Sequence, residues 1–476
     1  MAAQGGDFGA RPAGWPVALG AAALGLALLG LLWPGIAAYD TVKQYEQALA
    51  GVYDDWHPPV MAWLWSRLLA VHLDGTGPML ALQLALFWAG LGLLGAGLAR
   101  SGARRAAWGA LLAGLSPLVA DWMLVVVKDA QMVAAMAAAA GIVGWYRLQA
   151  RAVPAVPGVL AGLLLGYAVL ARANSVFAVV PLACCFLRWG GVRRWWGRAA
   201  LMLVAALLAL LASDVVNHAL LRADRSHVER TLPLFDLAGI AHFAPLAAPP
   251  GLSREEWADA ERKHCYTPFY WDPFGNPRRC GDQGDELVSP DGPSHLIRDW
   301  AATIVAHPLA YAEHRLAHLN ATLRVATPPD EPSAAAPSGS EPNPYGLGAH
   351  QSAASRVVQR LAAFFAGTPA GSPAVWLVLA AAIGWVLLGT PAQPARELGL
   401  AFSLSACLMT ASFAVVSIAS DLRYHLWLMT GTGLAAVMLA ACREVPPRRL
   451  RIGLALGVAA CAASVAMRAL AGPMAI

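Results

Sequence analysis

The chain has 476 residues, of which 58% are hydrophobic and only 13% charged, against about 25% charged in an ordinary soluble domain. With a mean hydropathy of +0.52, this excludes a water-soluble globular enzyme and also a disordered chain, which would need low hydrophobicity and high charge. The balance of 34 basic against 29 acidic residues, a net +5, is too weak to point to nucleic acid, so the chain reads as an all-α polytopic membrane protein.

The first long apolar run, residues 14–34, predicts a membrane helix rather than a cleaved leader. Arg11 is the only basic residue before it, and no A-x-A site follows. Further runs able to cross a core of about 30 Å lie at 77–99, 106–122, 126–146, 156–172, 174–188, 199–217, 373–390, 397–419, 424–441 and 452–471, which makes about eleven spans. Residues 58–73 are apolar but short and carry Arg67 and His72. They predict a helix lying along the interface. That choice puts every short basic loop on the cytoplasmic side: Arg100, Arg104 and Arg105; Arg147 and Arg151; Arg188, Arg193, Arg194 and Arg198; Arg396; Arg443, Arg448, Arg449 and Arg451.

The N-terminus is then cytoplasmic, and three parts follow. Residues 1–217 form a transmembrane module with a first external loop at 35–58. Residues 218–372 form a large extracytoplasmic loop region, and 373–476 carry the last transmembrane helices. Within the middle part, the Pro/Ser/Ala-rich piece at 327–348 reads as a mobile loop. Residues 308–324 and 352–365 read as surface helices, the first with Pro308 in its opening turn. Cys265 and Cys280 lie in a polar segment and can pair in an oxidising compartment. Abundant Ala, Gly, Pro and Arg, with lysine only at Lys43, Lys128 and Lys263, suggest a GC-rich bacterial source and hence a bacterial inner membrane.

Ionisable residues near membrane depth are costly and mark functional sites by default. Here they gather at one face: Asp40 after the first span; Asp54, Asp55 and His57 in GVYDDWHPP; Lys128 and Asp129 opening the span at 126–146; Arg172 and Asn174 at one external turn; Asp421, Arg423 and Tyr424 at another. Each has a plainer reading. Asp40 or Thr41 can cap the helix that follows, Lys128–Asp129 can be a local pair at a helix start, and Arg423–Tyr424 an interfacial anchor. His314 and His318, at i and i+4, read as a solvated helix face rather than metal ligands. Taken together, carboxylates can deprotonate an acceptor or hold a divalent cation, while Arg and Lys can bind a phosphate and stabilise it as a leaving group.

The order of apolar span, loop Asp, amphipathic stretch and G-x-Y-D-D-W-H-P-P leading into an interfacial helix resembles the GT-C superfamily of integral-membrane glycosyltransferases. It is similar in layout to protein O-mannosyltransferases and aminoarabinose transferases. The resemblance covers roughly residues 14–220 and 373–441, and its first motif is Tyr-Asp-Thr where the mannosyltransferases have an Asp-Glu pair. It implies a polyprenyl-phosphate sugar donor drawn from the membrane lipids and transfer on the extracytoplasmic face. Asp40 matches the loop carboxylate that serves as catalytic base or metal-associated acid, and Asp54, Asp55 and His57 match the second element. Lys128, Arg172 and Arg423 are expected to bind the donor phosphate, with Asp129, Asn174 and Tyr424 in support. A divalent cation, Mg or Mn, would fall to Asp40, Asp54, Asp55 or His57. The sugar and the acceptor stay open. Two other readings share these residues: a transporter or flippase for a lipid-linked or anionic solute, and a glycan polymerase or ligase using a lipid pyrophosphate. Against transport, no internal repeat is visible and the charges lie at one face rather than at mid-membrane.

Overall fold

The computed structural model describes residues 13–244, 246, 248–274, 280, 288, 294–328, 334–348 and 352–471. Among them the chain is helical throughout, with three isolated bridges and no strand. The first half contains α1 (Trp15–Leu32), α2 (Tyr39–Ala50), α3 (Pro59–Leu69), α4 (Gly77–Arg100), α5 (Arg104–Gly114), α6 (Pro117–Trp122), α7 (Lys128–Arg147), α8 (Ala155–Ala171), α9 (Val176–Phe186) and α10 (Trp195–Asp214). A polar layer follows with α11 (Thr231–Phe243), α12 (Arg254–Arg262), α13 (Leu296–Ala306), α14 (Pro308–Leu323) and α15 (Ala353–Ala366). The chain returns to apolar helices in α16 (Pro373–Leu388), α17 (Pro394–Val416), α18 (Leu426–Ala441) and α19 (Pro447–Leu470).

Among the described residues, six helices are long and apolar enough to cross a membrane: α1, α4, α10 with its π-helical continuation to Leu220, α17, α18 with the short turn from Leu422, and α19. The apolar α8, α9 and α16 are shorter. The chain is thus built as an integral membrane protein. The run at 106–122 is not one helix, contrary to expectation. It breaks between α5 and α6 because Pro117 drives Ser116 out of helical conformation, to ψ 126°. The stretch at 58–73 yields only the 11-residue α3, about half the length needed to span a bilayer.

The Ala-rich α7 runs through the centre of the bundle and is buried along most of its length. It meets α4 at a glycine pair: a Cβ on Gly90 would stand 2.3 Å from the Ala137 carbonyl oxygen, and one on Gly141 2.3 Å from that of Gly90. Small residues let two backbones approach where lipid supplies no hydrophobic force between helices.

The polar layer has its own core of Leu234, Phe235, Trp257, Trp271 and Phe274, into which the Cys265–Cys280 disulfide is buried. His314 and His318 of α14 are not on a solvated face; both are fully buried, because α14 lies against α11 with that face turned inward. Of the Pro/Ser/Ala-rich piece at 327–348, residues 334–348 lie against the first loop and α6. Ser340 Oγ accepts from the Ala37 N–H (3.0 Å), the Glu341 N–H donates to the Ala37 carbonyl (2.7 Å), and the Ala336 N–H donates to Asp121 (3.0 Å).

Candidate functional site: a charged cluster where four segments meet

The first loop is tied to the start of α7 by backbone. Ile36 bridges Val125, its N–H donating to the Leu124 carbonyl (2.9 Å) and its carbonyl accepting from the Val126 N–H (3.0 Å). The Thr41 hydroxyl donates to the Val126 carbonyl (2.7 Å) and accepts from the Ala38 N–H (2.9 Å). Thr41 therefore takes the capping work at the start of α2, and the Asp40 carboxylate is left for other partners. Two helix N-termini, those of α2 and α7, lie side by side, each with an Asp in its first turn, where the macrodipole favours negative charge.

Asp40 Oδ2 accepts from Arg423 Nη1 at 3.0 Å and faces Lys128 Nζ at 3.4 Å. Burial alone would raise this carboxyl, but Lys128 and Arg423 outweigh it and hold Asp40 well below the usual carboxylate range. Asp129, fully buried, faces Arg172 Nη1 at 2.9 Å and Arg423 Nε at 3.8 Å. Neither of its oxygens makes an aligned hydrogen bond, so charge alone holds it. Lys128 and Asp129 are neighbours in sequence but pair outward to different segments. The Arg172 guanidinium lies 3.9 Å above the Tyr424 ring and Arg423 at 5.4 Å from it. Arg423 Nε also reaches Asp421 at 3.2 Å. Asn174 sits two residues beyond Arg172 in a short 3₁₀ turn, its Oδ1 buried without a partner.

Of the residues in GVYDDWHPP, His57 joins Asp40 in this cluster, whereas Asp54 and Asp55 do not. His57 is buried, its ring edge-on to Tyr39 at 6.5 Å, with Nδ1 unpartnered. Burial first, then Lys128 and Arg423 against the pull of Asp40, push it down to about 4, so it is neutral at pH 7. Asp55 instead accepts from the Ser226 N–H and hydroxyl, 2.6 Å each, and faces His218 Nε2 at 3.3 Å. Asp54 bridges Asp224 through backbone and accepts from the Trp56 N–H at 3.0 Å. Together Asp54 and Asp55 staple the first loop to residues 224–226.

Sequence reading missed Asp272. It stands in W-D-P-F with nothing in its spacing to mark it. Tyr270 bridges Ala419, and the Trp271 N–H donates to the Ile418 carbonyl at 2.8 Å. Asp272 is thereby delivered beside the turn that carries Asp421 and Arg423. Water reaches its side chain, yet the surrounding protein and the charges of Asp421 and Asp40 push it up to about 6, against Arg423 and Lys128.

The same turn is gripped from α14. Arg315 Nη1 donates to the Ser417 carbonyl at 2.8 Å, and the Thr322 and Ser420 hydroxyls lie 3.1 Å apart. Arg315 is held by Asp236, which also accepts from Trp300 Nε1 at 2.9 Å and His314 Nε2 at 3.0 Å. Burial lowers His314. The neutral ring donates from Nε2 to the carboxylate and accepts from the Tyr266 hydroxyl at Nδ1, 2.8 Å away.

The cluster thus places three cations, Lys128, Arg172 and Arg423, around two enclosed carboxylates. Arranged so, it can bind an anionic group by exchanging an internal carboxylate for an external phosphate. Among the described residues, no three His, Cys, Asp or Glu side chains converge to hold a metal ion. Compared with known proteins, the chain matches no family model, no curated protein and no solved structure.

Proposed function

We propose that this chain is a membrane glycosyltransferase of the GT-C type, moving a sugar from a polyprenyl-phosphate donor to an acceptor. The observation that carries the reading is the convergence of Lys128, Arg172 and Arg423 on Asp40 and Asp129 at the ends of apolar helices. A lipid phosphate enters such a site from the bilayer, its headgroup at the level where these helices end. The reading places the N-terminus in the cytoplasm, takes about eleven crossings of a bacterial inner membrane, and puts the cluster on the extracytoplasmic face. The phosphate displaces Asp40 from Arg423 and Lys128, and the same cations then take up the charge that develops on the leaving phosphate. Stabilisation that grows in the transition state is what accelerates the step. His57, neutral and unpartnered at Nδ1, has a nitrogen free to orient a sugar hydroxyl.

The test incubates purified wild-type and Arg423→Gln protein with a panel of polyprenyl-phosphate sugars and a membrane extract as acceptor source. Free polyprenyl phosphate is measured. Release by wild type, reduced about 100-fold or more in the variant, supports the reading. Binding and release of none of these donors by well-folded wild type overturns it.

A further inference from the structure

We infer that Asp272, carried by the polar layer, is the catalytic residue that takes the proton from the acceptor, a role the first-loop motif would give to Asp40. This rests on the transferase reading above and deepens it.

The geometry separates the carboxylates of the site by occupation. Asp40 is shared by Arg423 and Lys128, Asp129 by Arg172 and Arg423, and Asp421 faces Arg423. Asp55 is consumed by Ser226 and His218, and Asp54 by the Trp56 N–H. Among the described residues Asp272 has no hydrogen-bond or ion-pair partner. It is also reached by water, as a group that meets an incoming acceptor must be. Its backbone is fixed on both sides: Tyr270 bridges Ala419, and Trp271, packed in the core of the polar layer, is hydrogen-bonded to Ile418. A carboxylate presented on a rigid support and accepting from none of the described residues is open to an incoming acceptor.

Among the described residues, the charged groups that act on Asp272 most are Asp421 and Asp40, which raise its proton affinity, and Arg423 and Lys128, which lower it. The net position, up to about 6, suits a base working near neutral pH. In the step proposed, Asp272 accepts the proton of the acceptor O–H or N–H. The pair released on that heteroatom forms the bond to the anomeric carbon. The bond from that carbon to the phosphate oxygen breaks, and its pair leaves on the polyprenyl phosphate, facing Lys128, Arg172 and Arg423. Proton, electron pair and leaving group are all accounted for.

The experiment compares full-length wild type, Asp272→Asn and Asp272→Glu, each checked by thermal melting, using the donor that wild type turns over. Donor binding and kcat are measured from pH 5 to 8. The expected result is that Asp272→Asn binds donor within about twofold of wild type, loses about 100-fold or more in kcat, and loses the acidic limb of the kcat profile. Asp272→Glu restores part of the rate together with that limb. An Asn variant with wild-type kcat and an intact acidic limb overturns the assignment while leaving the transferase standing. A second readout needs no turnover: carbodiimide coupling of a soluble amine at pH 6, mapped by peptide mass spectrometry. Coupling at Asp272 with Asp40 protected supports the assignment; an uncoupled Asp272 in folded wild type overturns it. If wild type neither binds nor releases any lipid-phosphate donor, the transferase reading itself fails and the proton-accepting role with it.

Discussion

Asp236 and Asp40 are both enclosed carboxylates that hold an arginine, and they differ in everything around that pair. Asp236 is fully buried and saturated, with Arg315 and His314 on one oxygen and Trp300 on the other. Arg315 in turn spends a second donor on the Ser417 carbonyl. Arg315 Nε keeps no partner, but both oxygens of the carboxylate are occupied, so this carboxylate has none to exchange. Around Asp40 the count runs the other way: a single oxygen serves both Arg423 and Lys128, Asp129 has no aligned hydrogen bond, and Asn174 and His57 keep buried polar atoms without partners. Buried polar groups in native proteins are normally satisfied. A cluster of unsatisfied ones beside three cations therefore reads as a site able to exchange a carboxylate for an external anion, whereas the cluster whose carboxylate has both oxygens occupied reads as a clamp. The two are connected, because the Asp236 clamp holds the 417–421 turn that aims Arg423 at Asp40.

The contrast is open to direct attack, most strongly by removing one cation from each cluster. Arg315→Met leaves Asp236 short of its charge partner and should cost about 3–5 kcal/mol, as breaking a buried pair does. Lys128→Met leaves Asp40 with Arg423 and should cost less than Arg315→Met, while donor binding is lost. Chemical or thermal unfolding in detergent gives both numbers; equal losses would erase the distinction between clamp and site. A second effect comes with pH. Burial pushes His318 down to about 3 and His57 down to about 4, against about 6.5 in the unfolded chain. Below pH 6.5 the unfolded state then binds more protons than the folded one, so stability is full above that pH and is lost as pH falls toward 4. At about 1.4 kcal/mol per pKa unit, each ring should contribute on the order of 3 kcal/mol across this window. His318→Gln should flatten the melting-temperature profile more than His57→Gln. A profile unchanged by either substitution would remove these two rings as its cause. The smallest effect tests the fit of the clamp. A Cβ on Gly239 would lie 2.0 Å from His314 Nδ1. Gly239→Ala should therefore cost about 1–3 kcal/mol by overpacking, and a wild-type melting temperature would mean that His314 can move aside freely.

The site was partly legible before any coordinates. Asp40, Lys128, Arg172 and Arg423 stood out because charge beside an apolar run is expensive, and orientation put them at one face. The density of charge in GVYDDWHPP was legible too, but not its division of labour. His57 turns into the cluster while Asp54 and Asp55 turn to residues 224–226, and that split depends on a contact across about 170 positions of sequence. Asp272 lies in a polar stretch where carboxylates are ordinary, so its freedom could not be read from its neighbours, whereas Asp236 is the lone charge in the apolar run 232–241, the same cost signal that marks Asp40. The i, i+4 pair His314 and His318 illustrates the same limit, since periodicity gives the face of a helix but not what covers it.

The sequence by itself determined that the protein is helical and membrane-embedded, because long apolar runs have few other ways to satisfy their backbone in lipid. It determined where helices begin, through Pro59, Pro308 and Pro447 in their first turns and Ser352 at a cap. Only the tertiary structure decided which charges meet. Those pairings join Asp40 to Arg423 across 383 positions, and the contact that steadies the Arg423 turn, Arg315 to the Ser417 carbonyl, spans 102. They are fixed by how whole helices pack, a property carried by shape and small-residue contacts such as Gly90 against Gly141, and not by any motif local to the charges themselves.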